Sequence, residues 1–136
     1  MRVYLAAKFQ AGPVMREWRD MLTGNGIEVT SRWFNGTHEP HDRGHEDAQR
    51  DGFAREDLED IDKADVLVAW NPADHHGTGS GGRHVEVGYA IGTHKPVVVV
   101  GARENVFHYL RGQVIHVERR DDLVDVLLAL DDLARP

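Results

Sequence analysis

The sequence predicts a three-layer α/β fold with about five parallel strands. The first observation is that short β-rich segments alternate with segments of helical periodicity along the chain. The second is a pair of continuous apolar segments, residues 65–70 and 96–100, which are typical of strands covered on both faces. The chain has 136 residues, a length that fits one domain with a substantial core. We therefore expect a single domain over residues 1–136.

The first part of the chain contains a strand, a helix and a second strand. Arg2–Ala6 is the first predicted strand, and a turn-like segment follows at residues 8–13. Residues 14–22 have apolar side chains at helical spacing, and the glycines at 24–26 end that helix. Ile27–Ser31 is the second predicted strand.

The remaining elements repeat this alternation. Residues 35–45 contain Gly, Pro and three His and indicate an exposed loop, and residues 46–63 have the pattern of a helix. The two apolar segments supply the central strands, and a shorter strand is predicted at residues 114–117. Residues 121–133 form the last predicted helix. Its apolar stripe consists of Leu123, Val126, Leu127 and Leu130.

Composition excludes several classes of function. The formal net charge of −7 argues against a general nucleic-acid surface, which needs clustered Lys and Arg. Cysteine is absent, so disulfides, thiolate metal sites and cysteine nucleophiles are excluded. No apolar segment approaches the roughly 20 residues of a membrane-spanning helix, and no leader segment is visible. We expect a cytoplasmic protein without membrane association.

Ligands in parallel sheets bind at the carboxyl ends of the strands, where the strand order reverses. Residues 7–12, 31–36 and 71–86 are expected at that edge. Four glycines between residues 77 and 82 make the third segment a plausible anion cradle. A mobile surface connection is the alternative. The G-x-G-x-x-G match at residues 77–82 is weak evidence for a dinucleotide site, because the glycines do not directly follow the strand.

Glu86 is the residue from which function is interpreted. It lies about one turn into the helix behind the glycine-rich segment, where N–H dipoles favour an anionic carboxylate. Its neighbours Gly82, Tyr89 and Ala90 are small or aromatic. This setting favours a nucleophile or a positioned base over a solvated charge. A glutamate that caps the helix start is the alternative.

Asp57 supplies a second carboxylate. Ala54, Leu58 and Ile61 mark the predicted inward stripe of the helix over residues 46–63, and Asp57 lies on the same stripe. The helix's other acids are predicted to face solvent: Glu56, Glu59, Asp60 and Asp62. Two inward carboxylates at the same strand ends form the kind of pair that cleaves a glycosidic bond.

The residues at both acids resemble a known family. Asp57-Leu58-x-x-Ile61-x-x-Ala64-Asp65-Val66, the glycine-rich turn and Glu86-Val87-Gly88-Tyr89-Ala90 are similar to motifs of the nucleoside 2-deoxyribosyltransferases and the related 2'-deoxynucleoside 5'-monophosphate N-hydrolases. The opening Val3-Tyr4-Leu5-Ala6-Ala7-Lys8-Phe9 also resembles the family's first strand and loop. The resemblance implies a flavodoxin-like fold, Glu86 as the nucleophile that forms a 2-deoxyribosyl ester, and Asp57 as the acid that assists departure of the base.

Ser80 bears on the choice of substrate within that resemblance. Within the family, the transferases resemble one another in having Asp at the position of Ser80, whereas the hydrolases have Ser there. A neutral hydroxyl in a glycine nest, beside Arg83 and Lys8, suits a phosphate monoester. We therefore expect hydrolysis of a (deoxy)nucleoside 5'-monophosphate. The predicted substrate-binding residues are Lys8, Phe9, Gln10, Trp33, Ser80, Gly81, Gly82 and Arg83.

Aromatic and histidine side chains leave alternatives open. Trp33 and Trp70 lie at strand ends, where an indole could stack on a base or simply belong to the core or rim. His38, His41 and His45 could suggest a metal, but their loop lacks a regular ligand pattern, so we predict surface histidines and no metal or cofactor.

The resemblance also implies contacts between subunits. Members of the family are dimers or larger, and residues 105–110 resemble the segment that reaches a neighbouring subunit's site. Asn105 and His108 are candidates for that contact or for interface packing. The expected partner is a nucleotide or nucleoside. Base exchange by a transferase is one alternative, and a sensor that binds nucleotide without turnover is another.

Overall fold

Five strands form one parallel sheet in the computed structural model, which describes residues 1–37, 47–72 and 81–135. The strands are β1 (Arg2–Ala6), β2 (Glu28–Val29), β3 (Val66–Asn71), β4 (Val97–Gly101) and β5 (Val114–Val117). The helices are α1 (Gly12–Gly24), α2 (Asp47–Lys63), α3 (Gly82–Gly92) and α4 (Leu123–Ala134).

The strand order is β2-β1-β3-β4-β5, and every pair is parallel. This is the flavodoxin-like order, and it confirms the predicted α/β fold with five parallel strands. The chain leaves β1 toward β2 on one side and continues from β3 on the other. The carboxyl ends of β1 and β3 are therefore the point at which the strand order reverses, and ligands bind at that point in such sheets.

Helices cover both faces of the sheet. Trp18 of α1 packs on Trp70 of β3 with ring centroids 5.5 Å apart. Tyr4 of β1 instead contacts Glu86 of α3. Paired residues of β1 and β3 point their side chains to the same face of the sheet, and successive residues of a strand alternate between the faces. In this register Tyr4 and Trp70 point to opposite faces, so α1 and α3 lie on opposite sides of the sheet. Helices α2 and α3 pack against each other.

The continuous apolar segments are buried as predicted. Residues 97–100 are at most 1% exposed, because β3 and β5 flank β4 and helices cover the faces of the sheet. Helix α4 buries Leu123 and Leu127, and Val126 and Leu130 pack partly against the core, which confirms the predicted stripe.

Strand β2 is two residues long, whereas the predicted strand covered residues 27–31. The backbone N–H of Thr30 still donates to the Val3 carbonyl at 2.8 Å, and side chains take over the pairing after it. The Ser31 hydroxyl accepts the backbone N–H of Leu5 at 2.9 Å, and the indole N–H of Trp33 donates to the Leu5 carbonyl at 2.8 Å. The backbone of residues 31–33 therefore turns away from β1 without leaving β1's polar groups unpaired.

The predicted loop over residues 35–45 begins inside a helical turn, and its residues 38–45 lie outside the described residues. Residues 33–37 form a helical turn in which Gly36 has a φ of 87°. No helix within residues 1–37, 47–72 and 81–135 combines the length and apolarity needed to cross a membrane.

Gly101 ends β4 at a point of close approach between two strands. Its φ is 99°, and a Cβ built there would lie 2.2 Å from the carbonyl oxygen of Asn71. That same oxygen accepts the N–H of Ala102 at 2.6 Å. The bare backbone at residue 101 thus lets the chain after β4 turn over the end of β3.

Candidate active site

Glu86 and Tyr4 meet between α3 and β1. Helix α3 begins at Gly82, so Glu86 lies in its second turn, on the side that faces the sheet. The Tyr4 side chain is fully buried in β1, and its hydroxyl donates a hydrogen bond to the Glu86 carboxylate oxygen Oε2. A buried tyrosine hydroxyl needs such a polar partner, and here the partner is an acid.

The pKa of the Glu86 carboxyl is raised to about 8, chiefly by burial. The Tyr4 hydrogen bond lowers this pKa, and the nearby charge of Asp57 contributes to its rise. The expectation that the helix start would favour the anionic form is therefore corrected. The influence of helix N–H dipoles is largest in the first turn, and Glu86 lies beyond it, out of water. At neutral pH this carboxyl holds a proton in the unliganded protein.

Asp57 lies close enough to affect both of these groups. Its Oδ1 atom is buried. Burial and the charge of Glu86 raise the pKa of the Tyr4 hydroxyl, and the charge of Asp57 contributes to the raised pKa of both Tyr4 and Glu86. The packing of α2 against α3 brings the three side chains together. Three titratable groups from β1, α2 and α3 thus share one site, which is typical of acid–base chemistry.

The inward face of α2 differs from the predicted one. Ala54 and Leu58 are exposed, and Asp60, predicted to face solvent, is 1% exposed. The inward residues are partly buried Asp57, then buried Asp60 and Ile61. The apolar periodicity therefore predicted Ile61 and Asp57 correctly as inward, whereas it misplaced Ala54, Leu58 and Asp60.

Asp60 is buried because Arg32 binds it. The Arg32 Nε donates to Oδ1 and Oδ2 at 2.9 and 3.1 Å, and Nη2 lies 2.8 Å from Oδ1. The Arg32 backbone N–H donates to Oδ2 at 3.1 Å. Hydrogen bonding to Asp60 raises the pKa of the Arg32 guanidinium.

Arg83 is held by two acceptors. Its Nε donates to Asn71 Oδ1 at 2.9 Å, and its Nη2 donates to both Glu104 carboxylate oxygens at 2.9 and 3.0 Å. Lys8 is buried nearby, and burial, followed by the charge of Arg83, lowers the pKa of its ammonium group. The two predicted phosphate ligands are therefore adjacent, and Glu104 neutralises part of their charge.

His108 and Asn105 make contacts within their own subunit. The His108 ring is 2% exposed, and its Nδ1 accepts the backbone N–H of Glu104 at 2.9 Å. The Asn105 side chain accepts the N–H of Phe107 and so caps the short helical turn at Val106–Tyr109. The His108 ring is thus packed within its own subunit, and a contact of either residue with a neighbouring subunit stays a prediction.

The remaining predicted binding residues surround the end of β1. Trp33 is 6% exposed, and its ring centroid lies 6.3 Å from that of Phe9. Gln10 is exposed in the short turn at Phe9–Ala11. Trp70 packs on Trp18, on the face of the sheet opposite Glu86.

Gly81 and Gly82 form the start of α3. Gly81 has a left-handed backbone with a φ of 84° and precedes the first helical residue, Gly82. Ser80, His38, His41 and His45 lie outside the described residues. Within residues 1–37, 47–72 and 81–135, no group of three His, Asp or Glu side chains is arranged to hold a metal ion.

Tyr4, Asp60 and Glu104 are site residues that sequence reasoning missed. Tyr4 had a usable signal, because its hydroxyl interrupts an otherwise apolar strand and must find a partner when buried. Asp60 and Glu104 gave no comparable signal, since each depends on an arginine far away in the sequence.

Comparisons with known proteins identify a family and two similar folds. The sequence model of the nucleoside 2-deoxyribosyltransferase family matches residues 3–126. A 2-deoxyribosyltransferase from Bacillus psychrosaccharolyticus superposes with a TM-score of 0.70 at 20% identity, covering 92% of this chain and 91% of that one. A CMP N-glycosidase from Clostridium botulinum superposes with a TM-score of 0.58 at 18% identity, covering 95% and 99%. A search of curated protein sequences finds no significant match.

Proposed function

This chain belongs to the nucleoside 2-deoxyribosyltransferase family, and we propose that it hydrolyses the N-glycosidic bond of a (deoxy)nucleoside 5'-monophosphate through a covalent glycosyl-Glu86 intermediate. The observation that supports this most directly is the convergence of Tyr4, Asp57 and Glu86 at the point where the strand order reverses. Two carboxyl groups at one sugar are sufficient for a double displacement.

The proposed reaction has two steps. The Glu86 carboxylate attacks C1' of the sugar while the bond from C1' to the base nitrogen breaks, and Asp57 donates a proton to the departing base. Asp57, now ionised, then removes a proton from water. The resulting hydroxide attacks C1' and displaces the Glu86 carboxylate, which releases the sugar phosphate.

The division of roles requires the proton of the free site to move before the attack. The raised pKa of Glu86 means that this carboxyl retains a proton near neutral pH in the unliganded protein. The reaction uses the form in which that proton is on Asp57 and Glu86 is anionic. The Tyr4 hydroxyl donates to Glu86, so it stabilises the anion and orients the attacking carboxylate.

Lys8 and Arg83 support a phosphorylated substrate. Both cationic groups are buried beside the start of α3. Among the residues that the structure describes, Glu104 is their acidic partner. A 5'-phosphate would supply the further negative charge that this cluster favours. Ser80 and the backbone of Gly81 and Gly82 are proposed to complete the phosphate site, and Phe9, Gln10 and Trp33 to line the base and sugar.

The subunit arrangement is also a proposal. Val85, Val106, Phe107 and Tyr109 are 58–78% exposed on α3 and the segment after β4. Covering such an apolar surface favours a homodimer or a larger assembly. Asn105 and His108 lie in the same segment and stay the candidates for a contact with a neighbouring site.

Two alternatives share this site. A transferase would pass the sugar from Glu86 to a second base instead of water. A sensor that binds nucleotide without turnover is favoured by one observation, namely that Glu86 is protonated near neutral pH and is then a poor nucleophile.

Release of free base tests the proposal. The four deoxynucleoside monophosphates are compared with their nucleosides and with ribonucleotides, using wild type, Glu86→Gln and the exposed-acid control Glu59→Gln. We expect base release by wild type and Glu59→Gln, and a loss of more than about 1,000-fold in Glu86→Gln with nucleotide binding retained. Binding without release by wild type would favour the sensor, and a new nucleoside after addition of an acceptor base would identify a transferase.

A further inference from the structure

The ion pair between Arg32 and Asp60 connects two elements that the proposed reaction uses. Asp60 lies three residues after Asp57 on α2, so both side chains share one face of the helix. The Thr30 hydroxyl also donates to the Asp60 carbonyl at 2.7 Å. The turn of α2 after Asp57 is therefore bound to the chain that follows β2.

The segment that holds Arg32 is itself fixed to β1. Ser31 and Trp33, on either side of Arg32, bond the N–H and the carbonyl of Leu5. Leu5 is adjacent to Tyr4, which donates to Glu86. A continuous series of direct contacts thus joins Asp60 to the strand that orients the nucleophile.

Helix α2 buries few side chains near its acid. Of its residues, only Asp60 and Ile61 are fully buried, although α2 runs over Asp47–Lys63. An apolar pair at residues 32 and 60 would cost less desolvation than a carboxylate and a guanidinium. A forked guanidinium instead fixes the direction of the carboxylate it binds. The ion pair therefore supplies orientation where apolar packing is sparse.

We propose that the Arg32–Asp60 ion pair is a positioning element that sets the distance between Asp57 and the departing base. The inference rests on the proposed function, because it assigns Asp57 the role of proton donor. Asp60 and Arg32 act through the backbone of α2 and touch neither the sugar nor the base in this scheme.

A leaving-group comparison tests the proposal. Wild type, Asp57→Asn, Asp60→Asn and Arg32→Lys are assayed with the nucleotide that wild type cleaves and with an analogue whose base departs readily, 7-methyl for a purine or 5-fluoro for a pyrimidine. We expect Asp60→Asn to lower kcat about 10- to 100-fold with the ordinary base and much less with the analogue. Asp57→Asn shows the same selectivity with a larger loss, and Arg32→Lys shows it in the same direction.

The ratio of the two rates does not depend on the fraction of folded enzyme, so partial unfolding of a variant cannot imitate the selectivity. Glu59→Gln is the matched control, because exposed Glu59 contacts the same Arg32 at 3.4 Å, and we expect wild-type rates from it. Equal losses with both substrates in Asp60→Asn, or no loss with the ordinary base, would overturn the inference. Absence of base release by wild type would instead overturn the proposed function, and the inference with it.

Discussion

Glu86 and Asp60 are two acids withdrawn from water on the same side of the sheet, and their partners differ. Glu86 accepts from a neutral tyrosine hydroxyl and lies near a second acid, so burial raises its pKa to about 8. Asp60 instead accepts from a guanidinium and a backbone N–H. The charge of the partner, more than burial, decides whether an acid serves as a reactive group or as a fixed anchor.

The largest effect expected from this difference is in the pH dependence of stability. An acid whose pKa is higher in the folded state binds its proton more tightly there, so the folded state loses stability as pH rises from the unfolded pKa to about 8. We expect wild type to lose up to about 1.4 kcal/mol of unfolding free energy per pH unit in that window relative to Glu86→Gln. Denaturant unfolding at pH 5, 6.5 and 8 measures it.

Parallel pH curves for wild type and Glu86→Gln would contradict a neutral Glu86 in the folded protein. Glu17→Gln is a suitable control, since Glu17 is an exposed acid on α1. We expect this variant to follow the wild-type curve.

Removal of Asp60 tests the other half of the comparison. Asp60→Ala leaves the Arg32 backbone N–H without its acceptor and removes the buried partner of the guanidinium, which keeps only Glu56 and Glu59. We expect a loss of about 2 kcal/mol of unfolding free energy. The figure is below that of a fully buried pair because the Arg32 side chain is 44% exposed. Glu59→Ala removes only an exposed partner of the same arginine and should change stability by less than about 0.5 kcal/mol.

Equal losses in the Asp60 and Glu59 variants, measured by urea unfolding, would show that burial of the Asp60 carboxylate contributes nothing beyond a surface ion pair.

A smaller effect is expected from Tyr4→Phe. The tyrosine hydrogen bond lowers the pKa of Glu86, so its loss raises that pKa further. We expect the pH at which kcat/KM rises with ionisation of Glu86 to move upward by about one unit. An unchanged pH profile with a uniformly lower rate would assign Tyr4 to packing alone.

The sequence was sufficient for the sheet, because continuous apolar segments identified β3 and β4. Helical spacing with the family motifs pointed to Glu86 and Asp57, which the structure brings close together beside Tyr4, and their roles stay predictions. Partners remote in sequence were not predictable. The Tyr4–Glu86 contact joins residues 82 positions apart, and burial of Asp60 depends on Arg32, 28 positions away. Ion pairs remove acids from solvent without leaving a periodic apolar signal.

The missing side chain at Gly101 has a consequence for variation of this protein. A methyl group there would overlap the Asn71 carbonyl oxygen, and the positive φ adds strain for every other residue type. In a saturation library selected for folded protein, codon 101 should return glycine alone, whereas codon 24, whose glycine has open space around it, should accept many replacements.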